Sequence, residues 1–384
     1  MSEGVTPPSL QPPPKGGGEG RALRILHTES SLGWGGQEIR VLTEARGVAM
    51  RGHDVMVAAP AESNIYRAAI RNGIEVMALP IARKGLLGFF TMRIFLGRTP
   101  FDIVNTHSST DSWLVALACK TLRKPPAIVR TRHISAPTPR NAATRWLYTR
   151  AARRIATTGE KLRLQVIEEA GVDPARIVSV PTGIDLDTFQ PGDRGAARER
   201  LGLPQDANLI GIVATLRSWK GHRFLFEAFA KLDRPESFLV VVGDGPQRKA
   251  LEALAESLGI AGRLRFAGNQ TEVAPWMAAF DVFALPSFAN EGVPQALMQA
   301  MACGLPVVTT PVGSIGEIVT DGETGVMVTP QDSESLRAAI ASLLRDPARR
   351  AALGARAREM AVERFGESLM LDRMIALFEA ARRG

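Results

Sequence analysis

The chain has 384 residues, 45% hydrophobic and 22% charged, which is typical of a globular protein and too long for a single ordinary core. It contains no run of 18 apolar residues, which excludes a membrane-spanning helix, and its two cysteines are too few for a disulfide framework. The net charge of +8 is concentrated in residues 21–190, which carry 24 Lys and Arg against 14 Asp and Glu. We therefore expect one half of the chain to have an anionic partner: a membrane surface, a nucleic acid or a phosphorylated substrate.

The first 20 residues contain Pro and Gly but no apolar core. This composition is typical of a disordered tail and not of a signal peptide. Two cysteines also suit a reducing compartment. We therefore expect a cytoplasmic protein.

Short apolar runs alternate with helical patterns along the chain, which predicts parallel sheets with crossover helices. The runs of the first half are residues 22–28, 54–60, 74–80, 101–107, 127–133, 154–158 and 177–181. After a linker rich in Pro, Gly and Asp, a second series comprises residues 208–215, 238–244, 263–268, 281–286, 306–311 and 325–330. The runs are nearly continuous in Val, Ile and Ala, as expected of strands covered on both faces.

Two successive series of this kind predict an α/β protein with two doubly wound domains that face each other across a cleft. We expect a tail at 1–20, a first Rossmann-like domain at 21–190 and a second Rossmann-like domain at 191–366. A C-terminal helix at 367–384 is expected to pack back on the first domain. Ligands of such sheets bind at the carboxyl ends of the strands, so the residues that follow each strand are the candidates for function.

The loop after the first run contains Gly33, Gly35 and Gly36 and precedes a helical pattern. Glycines let the backbone approach a ligand closely, and the following helix N-terminus favours an anion. The alternative is a tight structural turn. The spacing is not G-x-G-x-x-G, and the second run ends in Ala58-Ala59-Pro60 without an acid that could bind a ribose, so a dinucleotide cofactor is disfavoured.

Two cations, Arg217 and Lys220, follow the first run of the second series. At the end of a strand they are well placed to hold a diphosphate, although an ordinary surface pair is the alternative.

Residues 287–304 carry the strongest signal. A short loop containing Glu291 leads to a helix for which Pro294 suits the first position, and Gly304 ends that helix. The free amides of the helix N-terminus can bind an anion. Gln299 lies about 7–8 Å farther along the axis. The alternative for Glu291 is an acid that stabilises the helix dipole.

Glu291 and Gln299, followed by Ala-Met-Ala-x-Gly-x-Pro-Val-Val, resemble the E-x7-E region of the retaining GT-B glycosyltransferases of family 4. The Gly35-Gly36 loop, the linker 181–191, the pair Arg217 and Lys220, and residues 242–246 also match that family's pattern. The resemblance covers residues 22–375. The loops around Gly35 and Glu291 are similar to those of bacterial lipopolysaccharide and surface-polysaccharide enzymes.

The resemblance implies roles for individual residues. Arg217 and Lys220 would neutralise the donor diphosphate, where leaving-group charge develops. Glu291 would bind hydroxyls of the donor sugar, and Gly35 and Gly36 would lie beneath the donor phosphates or the acceptor. The turn of Gly292, Val293, Pro294 and Gln295 would contact the sugar and phosphates through backbone amides. Two departures are notable: Gln299 replaces a Glu that holds the ribose hydroxyls, and Pro294 replaces the commoner Gly and removes one donor.

Histidines and metals receive fewer roles. His107 matches a family histidine near the donor sugar, with a strand-end histidine bonded to backbone as the alternative, and His133 is a weaker candidate on the acceptor side. We interpret His53 as a structural turn residue, and we assign no role to His27 or His222. Asp185 and Asp187 form a D-x-D sequence in the linker, which we interpret as chance. We therefore expect neither a metal nor a bound cofactor.

The resemblance implies a glycan or lipid-linked acceptor, and the basic first half suggests an anionic membrane surface as the place where it is bound. Trp146, Leu147 and Tyr148 interleave with arginines between 140 and 154, a composition suited to an interfacial helix. Residues 83–96 are a second candidate, for which a crossover helix packed on the sheet is the favoured interpretation.

The sequence therefore predicts a peripheral, metal-independent, retaining glycosyltransferase on the inner face of the cytoplasmic membrane, with a UDP-sugar as donor. No nucleophile is evident, which favours front-face attack assisted by the leaving phosphate over a covalent intermediate. An epimerase that converts a nucleotide sugar without an acceptor is the alternative. Nucleic acid is not an expected partner, because the basic stretch lacks a recognised binding module.

Overall fold

The computed structural model describes residues 21–134 and 136–384, and within them each of the thirteen predicted apolar runs forms a β-strand. The first sheet contains β1 Arg24–Thr28, β2 Asp54–Ala59, β3 Glu75–Ala78, β4 Ile103–Thr106, β5 Ala127–Arg132, β6 Arg154–Thr157 and β7 Ile177–Ser179. The second sheet contains β8 Asn208–Val213, β9 Ser237–Val242, β10 Leu264–Gly268, β11 Val282–Leu285, β12 Val307–Thr309 and β13 Val326–Met327. The predicted tail, residues 1–20, lies outside the described residues.

Helices connect the strands, as the alternating pattern predicts. Those of the first series are α1 Gly36–Met50, α2 Asn64–Arg71, α3 Leu86–Arg98, α4 Ser109–Lys120, α5 Ala142–Trp146 and α6 Glu160–Ala170. Those that follow are α7 Arg194–Leu201, α8 His222–Ala230, α9 Arg248–Ser257, α10 Ala274–Ala279, α11 Gln295–Ala302, α12 Ser333–Arg345, α13 Pro347–Arg364 and α14 Glu367–Arg383. Among the described residues, no helix is both long and apolar enough to cross a membrane.

Both sheets have the strand order of doubly wound folds. The first runs β3-β2-β1-β4-β5-β6-β7 and the second β10-β9-β8-β11-β12-β13, and β1 pairs in parallel with β2 and β4 as β8 does with β9 and β11. The order therefore reverses between β1 and β4 in the first sheet and between β8 and β11 in the second. Ligands of such sheets bind beyond the carboxyl ends of the strands at these reversal points.

Burial follows strand position. The central strands β1, β4, β8 and β11 are almost entirely buried, including polar residues such as His27 and Asn105. The edge strand β3 is largely exposed, because an edge strand has a neighbour on one side alone.

The chain divides into two compact units. One comprises residues 21–130, 151–154 and 375–384 of the described chain, and the other comprises 131–150 and 155–374. The last ten residues thus belong to the first unit. The limits predicted from sequence, at 190 and 366, stay predictions.

The predicted interfacial helix at 140–154 is wrong. Its central residues, Leu147 and Tyr148, are buried and continue the short α5 as a π-helical turn, and Tyr148 accepts a hydrogen bond from Arg132. With Leu147 and Tyr148 buried, half-buried Trp146 is the one of these three residues that retains exposed apolar surface. The charge pattern of the stretch could not reveal this, because buried and exposed side chains alternate along it.

Candidate functional site

The first reversal point is organised by one buried carboxylate, Asp111, in the first turn of α4. Asp111 accepts hydrogen bonds from the Thr28 hydroxyl at 2.7 Å, the His107 amide at 2.9 Å and the Ser108 amide at 2.9 Å. Thr28 ends β1, whereas His107 and Ser108 follow β4. Asp111 therefore fixes the carboxyl ends of two neighbouring strands against each other.

His107, the predicted histidine of this unit, is buried and stacks on His27. The Nδ1 atom of His27 lies 3.0 Å from Nε2 of His107, and the rings are 5.3 Å apart between centroids. Burial lowers the pKa of His27, so its ring is neutral at neutral pH. The hydrogen bond between the two imidazoles fixes the orientation of His107.

Glu29 anchors the glycine loop. Its side chain accepts hydrogen bonds from the Ser31 amide at 2.8 Å and from Nε2 of Gln37 at 2.5 Å. Burial, and next the charge of Asp111, raise the pKa of Glu29 to about 8. The carboxyl is therefore mainly protonated at neutral pH, and it joins the two ends of the loop that contains Gly35 and Gly36.

Gly35 is the N-cap of α1, with an extended backbone at φ −173°. A Cβ added there would lie 3.7 Å from the Glu38 side chain, an ordinary contact. Neither the backbone angle nor the packing requires glycine at this position. Glycine is a favoured residue at a helix N-cap, and the predicted contact of Gly35 with a ligand stays a prediction.

The second reversal point holds the predicted catalytic residues of the donor side. Nζ of Lys220 donates to Oε1 of Glu291 at 2.6 Å, and the Ser287 hydroxyl donates to the same oxygen at 2.6 Å. The Glu291 side chain is 5% exposed and that of Lys220 is 19% exposed. The structure thus joins Lys220 and Glu291 in one ion pair, whereas the sequence pattern assigns them to separate parts of a ligand.

The loop that carries Arg217 and Lys220 packs closely on the loop before α11. Gly221 has φ +78°, and a Cβ there would lie 2.0 Å from the Pro286 carbonyl oxygen, so glycine is required. Arg217 is exposed, with its guanidinium 5.7 Å from the centre of the Trp219 ring. Arg217 is therefore not part of the ion pair.

The N-terminus of α11 differs from the prediction in one detail. Pro294 is the N-cap, with ψ 119°, and the first helical residue is Gln295. Val293 packs in the core of the unit, so its backbone alone is available to a ligand. Within residues 21–134 and 136–384, no acceptor bonds the amides of Gly292, Val293 or Gln295. That these amides bind an anion stays a prediction.

Gln299 is half-buried on α11, one turn beyond Gln295. Its side-chain amide bonds to none of the residues that the structure describes. It remains available to a ligand on this helix.

Two backbone features of this site were not predicted from the sequence. Asn290, immediately before Glu291, has φ +55°, a conformation that asparagine tolerates better than most residues. Gly313, which follows β12, has φ +62°, and a Cβ there would lie 2.0 Å from the Glu291 carbonyl oxygen. A glycine after a strand is a weak signal in the sequence. Its close contact with the Glu291 loop becomes evident once β12 is known to lie beside β11.

The other predicted residues lie elsewhere. His133 is buried after β5, and its carbonyl accepts from the Thr158 hydroxyl. Nδ1 of His53 accepts the Leu23 amide at 3.2 Å, as expected of a structural residue. Asp185 accepts the amides of Asp187 and Thr188, which makes it a turn cap.

Two family models match successive parts of the chain. "Glycosyltransferase Family 4" matches residues 34–188, and "Glycosyl transferases group 1" matches residues 193–360. Among solved structures, HepE from Anabaena in complex with UDP has a TM-score of 0.82 at 22% identity, covering 93% of this chain and 100% of that one. The same protein was also solved with UDP-glucose.

Two curated relatives have similar names. D-inositol 3-phosphate glycosyltransferase of Mycolicibacterium paratuberculosis is 31% identical over 392 residues, which cover 91% of this chain and 86% of that relative. D-inositol 3-phosphate glycosyltransferase 2 of Catenulispora acidiphila is 37% identical over 231 residues, 57% of this chain and 54% of that relative. In the second case the match spans about half the length of the relative.

Two doubly wound sheets with this strand order define the GT-B fold, the class of glycosyltransferases that the sequence predicts. Within that class, the chain belongs to glycosyltransferase family 4. The epimerase alternative receives no support, because both relatives are named glycosyltransferases.

Proposed function

We propose that this chain is a retaining, metal-independent hexosyltransferase that transfers a sugar from a nucleotide-diphosphate donor to a glycan or glycolipid. The observation that carries the proposal is the ion pair of Lys220 and Glu291 beside the open amides of Gly292, Val293 and Gln295. A cation and several amides suit a diphosphate, and a carboxylate suits sugar hydroxyls. One donor of this chemistry satisfies all of them.

The donor is proposed to be a UDP-sugar, a choice supported by the similarity in fold to HepE, which was solved with UDP and UDP-glucose. Lys220 and the α11 amides would hold the diphosphate, with Arg217 at its exposed side. Glu291, which accepts hydrogen bonds from Lys220 and Ser287 in this structure, would bind hydroxyls of the donor sugar. Gln299 offers both an acceptor and donors to the ribose hydroxyls.

The chemistry that we propose is front-face substitution. The acceptor oxygen forms a bond to the anomeric carbon on the face from which the diphosphate leaves, while the bond from that carbon to the phosphate oxygen breaks. The acceptor's proton passes to the departing phosphate. Lys220 and the helix amides would stabilise the negative charge that develops there, and such stabilisation is a large share of catalysis in many enzymes.

The residues of the first unit are assigned to the sugar and acceptor. Gly35 and Gly36 would lie against the donor phosphates or the acceptor, since Gly35 has no packing reason to be glycine. His107, fixed by His27 and by the Asp111 contact to its amide, would contact the donor sugar as the family resemblance implies.

Two acceptor classes are candidates. The loops around Gly35 and Glu291 resemble enzymes of lipopolysaccharide core and surface-polysaccharide biosynthesis, which favours a lipid-linked glycan. The names of the two curated relatives favour an inositol phosphate instead. Consumption of the UDP-sugar with each acceptor separately distinguishes them, and a product with inositol phosphate alone would replace the first candidate.

We further propose that the protein acts on the cytoplasmic side of an anionic membrane, as a peripheral protein. The support is the charge of +10 over residues 21–190, which contrasts with the near-neutral remainder. The protein would then reach an acceptor anchored in the bilayer by binding to the membrane surface.

Thermal unfolding with UDP, GDP, ADP, CMP and their sugar conjugates tests the donor class. A ligand at about 100 times its dissociation constant stabilises the fold by roughly 2.7 kcal/mol. We expect UDP and one UDP-sugar to raise the unfolding temperature. A shift with another nucleotide would correct the base, and no shift with any of them would contradict the donor site.

Substitutions then test the residues. Lys220→Ala and Glu291→Ala should each abolish transfer at a temperature at which the variant is still folded. Each should also lower the unfolding temperature, because the remaining charge of the pair is left buried without its partner. Arg223→Ala is the matched control for loss of a cation, because Arg223 lies three residues beyond Lys220 in an exposed pair with Glu227. Near-normal turnover of both site variants would contradict the assigned site.

A further inference from the structure

Helix α3 exposes an unusual amount of apolar surface. The exposed fractions are 76% for Leu86, 71% for Leu87, 54% for Phe90 and 47% for Ile94. Leu86, Phe90 and Ile94 are spaced four residues apart, so they lie along one face of the helix. Singly exposed apolar residues are ordinary, but a continuous apolar stripe marks an interaction surface.

The exposure of this apolar face of α3 does not result from loose packing of the helix. On the opposite side of α3, Gly88, Met92 and Leu96 are buried. A Cβ at Gly88 would lie 2.9 Å from the Pro80 carbonyl oxygen and 3.2 Å from the Leu114 side chain, so helix and neighbours are in close backbone contact. The helix therefore cannot rotate to bury its outer face. Both faces of α3 are apolar, and the favoured prediction of a crossover helix packed on one side accounts for the inner face alone.

Cations border the outer face. Residues 76–101 contain Arg83, Lys84, Arg93 and Arg98 but no Asp or Glu. All four basic residues are exposed. Nε of Arg93 bonds the Thr121 hydroxyl at 3.1 Å, which holds this cation beside the stripe.

We propose that the outer face of α3 docks on an anionic lipid bilayer, with Leu86, Leu87, Phe90 and Ile94 in the interface and the bordering cations at the headgroups. The proposal rests on the membrane association inferred above and assigns it to one surface. Apolar residues on one face with Lys and Arg at its borders are the pattern of an interfacial helix. A second copy of the chain is a poorer occupant, because a symmetric contact would bring two sets of these cations together.

The assigned surface differs from the one that the sequence favoured. The arginine-rich stretch 140–154 has more charge but buries Leu147 and Tyr148, so it offers electrostatic attraction without insertion. Helix α3 combines both contributions. Binding by α3 should consequently persist in part at high salt, whereas a purely electrostatic contact would be lost.

The test is sedimentation of the full chain with vesicles of phosphatidylcholine, with and without phosphatidylglycerol. The variant Phe90→Ser/Ile94→Ser should weaken binding to anionic vesicles by at least about tenfold, since each substitution removes an inserted apolar group. The matched control is Met50→Ser/Ile70→Ser, which removes two exposed apolar residues of the same unit from other helices. The control should bind like the wild type, and Arg83→Gln/Lys84→Gln should weaken binding mainly at low salt.

Each other outcome overturns the proposal in a distinct way. Equal binding by Phe90→Ser/Ile94→Ser and the wild type would leave membrane association intact and remove α3 from it. Absence of wild-type binding to anionic vesicles would refute the association itself. Self-association that the variant abolishes would assign the face to a second copy. Donor-dependent thermal shifts of the same preparations report separately on the proposed transferase site, because α3 has no part in donor binding.

Discussion

Gly313 offers a sharp test of how the Glu291 loop is held. A Cβ at this position would lie 2.0 Å from the Glu291 carbonyl oxygen, whereas carbon and oxygen atoms ordinarily approach to about 3.3 Å. The substitution Gly313→Ala must therefore displace the loop by about 1 Å or more. Because this loop carries the Glu291 carboxylate, the displacement reaches the proposed site directly.

A matched control separates this displacement from backbone strain. Gly313 has φ +62° and Gly322 has φ +73°, but a Cβ at Gly322 would meet no atom within 4 Å. Alanine in the left-handed region costs about 1–2 kcal/mol at either position. Gly322→Ala should thus lose stability and keep its activity, whereas Gly313→Ala should lose stability and also about a hundredfold in rate.

The measurements are thermal unfolding and steady-state transfer with the donor identified by the nucleotide panel. Gly322→Ala gives the stability loss that is due to strain alone. The rate of Gly313→Ala is then compared with that of Gly322→Ala at a temperature at which both are folded. If the two variants turn over at similar rates, Gly313 does not position Glu291 and the role of that loop must be revised.

Three further predictions concern buried groups. Burial raises the pKa of Cys119 and of Cys303 to about 12, so neither thiol should react with a thiol reagent in the folded protein at neutral pH, and rapid labelling without denaturant would contradict their placement. Because the pKa of Glu29 is raised from 4.5 to about 8, folding takes up a proton between these pH values, and this contribution to stability falls as pH rises through that window. Glu29→Gln should flatten the corresponding decline in unfolding temperature, and parallel curves for the variant and the wild type would refute the shift. Asp281→Asn should lower the free energy of unfolding in denaturant by about 3–5 kcal/mol, because it leaves the buried Arg198 guanidinium without its charge partner. A decrease below about 1 kcal/mol would show that the ion pair is dispensable for stability.

The secondary-structure elements and the candidate residues could be predicted from the sequence to different degrees. The strands could be predicted because their runs are rich in apolar residues and most of them end at or beside Pro, Gly or Asp. Glu291 and Lys220 could be predicted because each follows a strand and because the motifs around them resemble a family. Their mutual ion pair could not, since the two residues are 71 positions apart and meet through the pairing of β8 with β11.

Residues that orient other residues, such as Asp111 and His27, were the hardest to predict from the sequence. Asp111 has an ordinary helix-capping role by sequence, and its bond to Thr28 depends on β1 lying beside β4. His27 lies within a strand, where an isolated histidine carries no functional signal. The outer face of α3 was hidden for another reason: when both faces of a helix are apolar, the period of the sequence does not tell which one is exposed.

The ion pair of Lys220 and Glu291 also indicates how two buried charges are stabilised in the protein without a ligand. Each side chain is largely buried, and an isolated buried charge is costly, so the two stabilise each other in the free protein. A donor diphosphate would bring negative charge to Lys220, and the donor sugar would bring hydroxyl groups to Glu291. Both side chains would then exchange the hydrogen bond between them for hydrogen bonds to one ligand. A nucleotide without a sugar offers a new partner to Lys220 alone. We therefore infer that the complete nucleotide sugar binds this site more tightly than its nucleotide does.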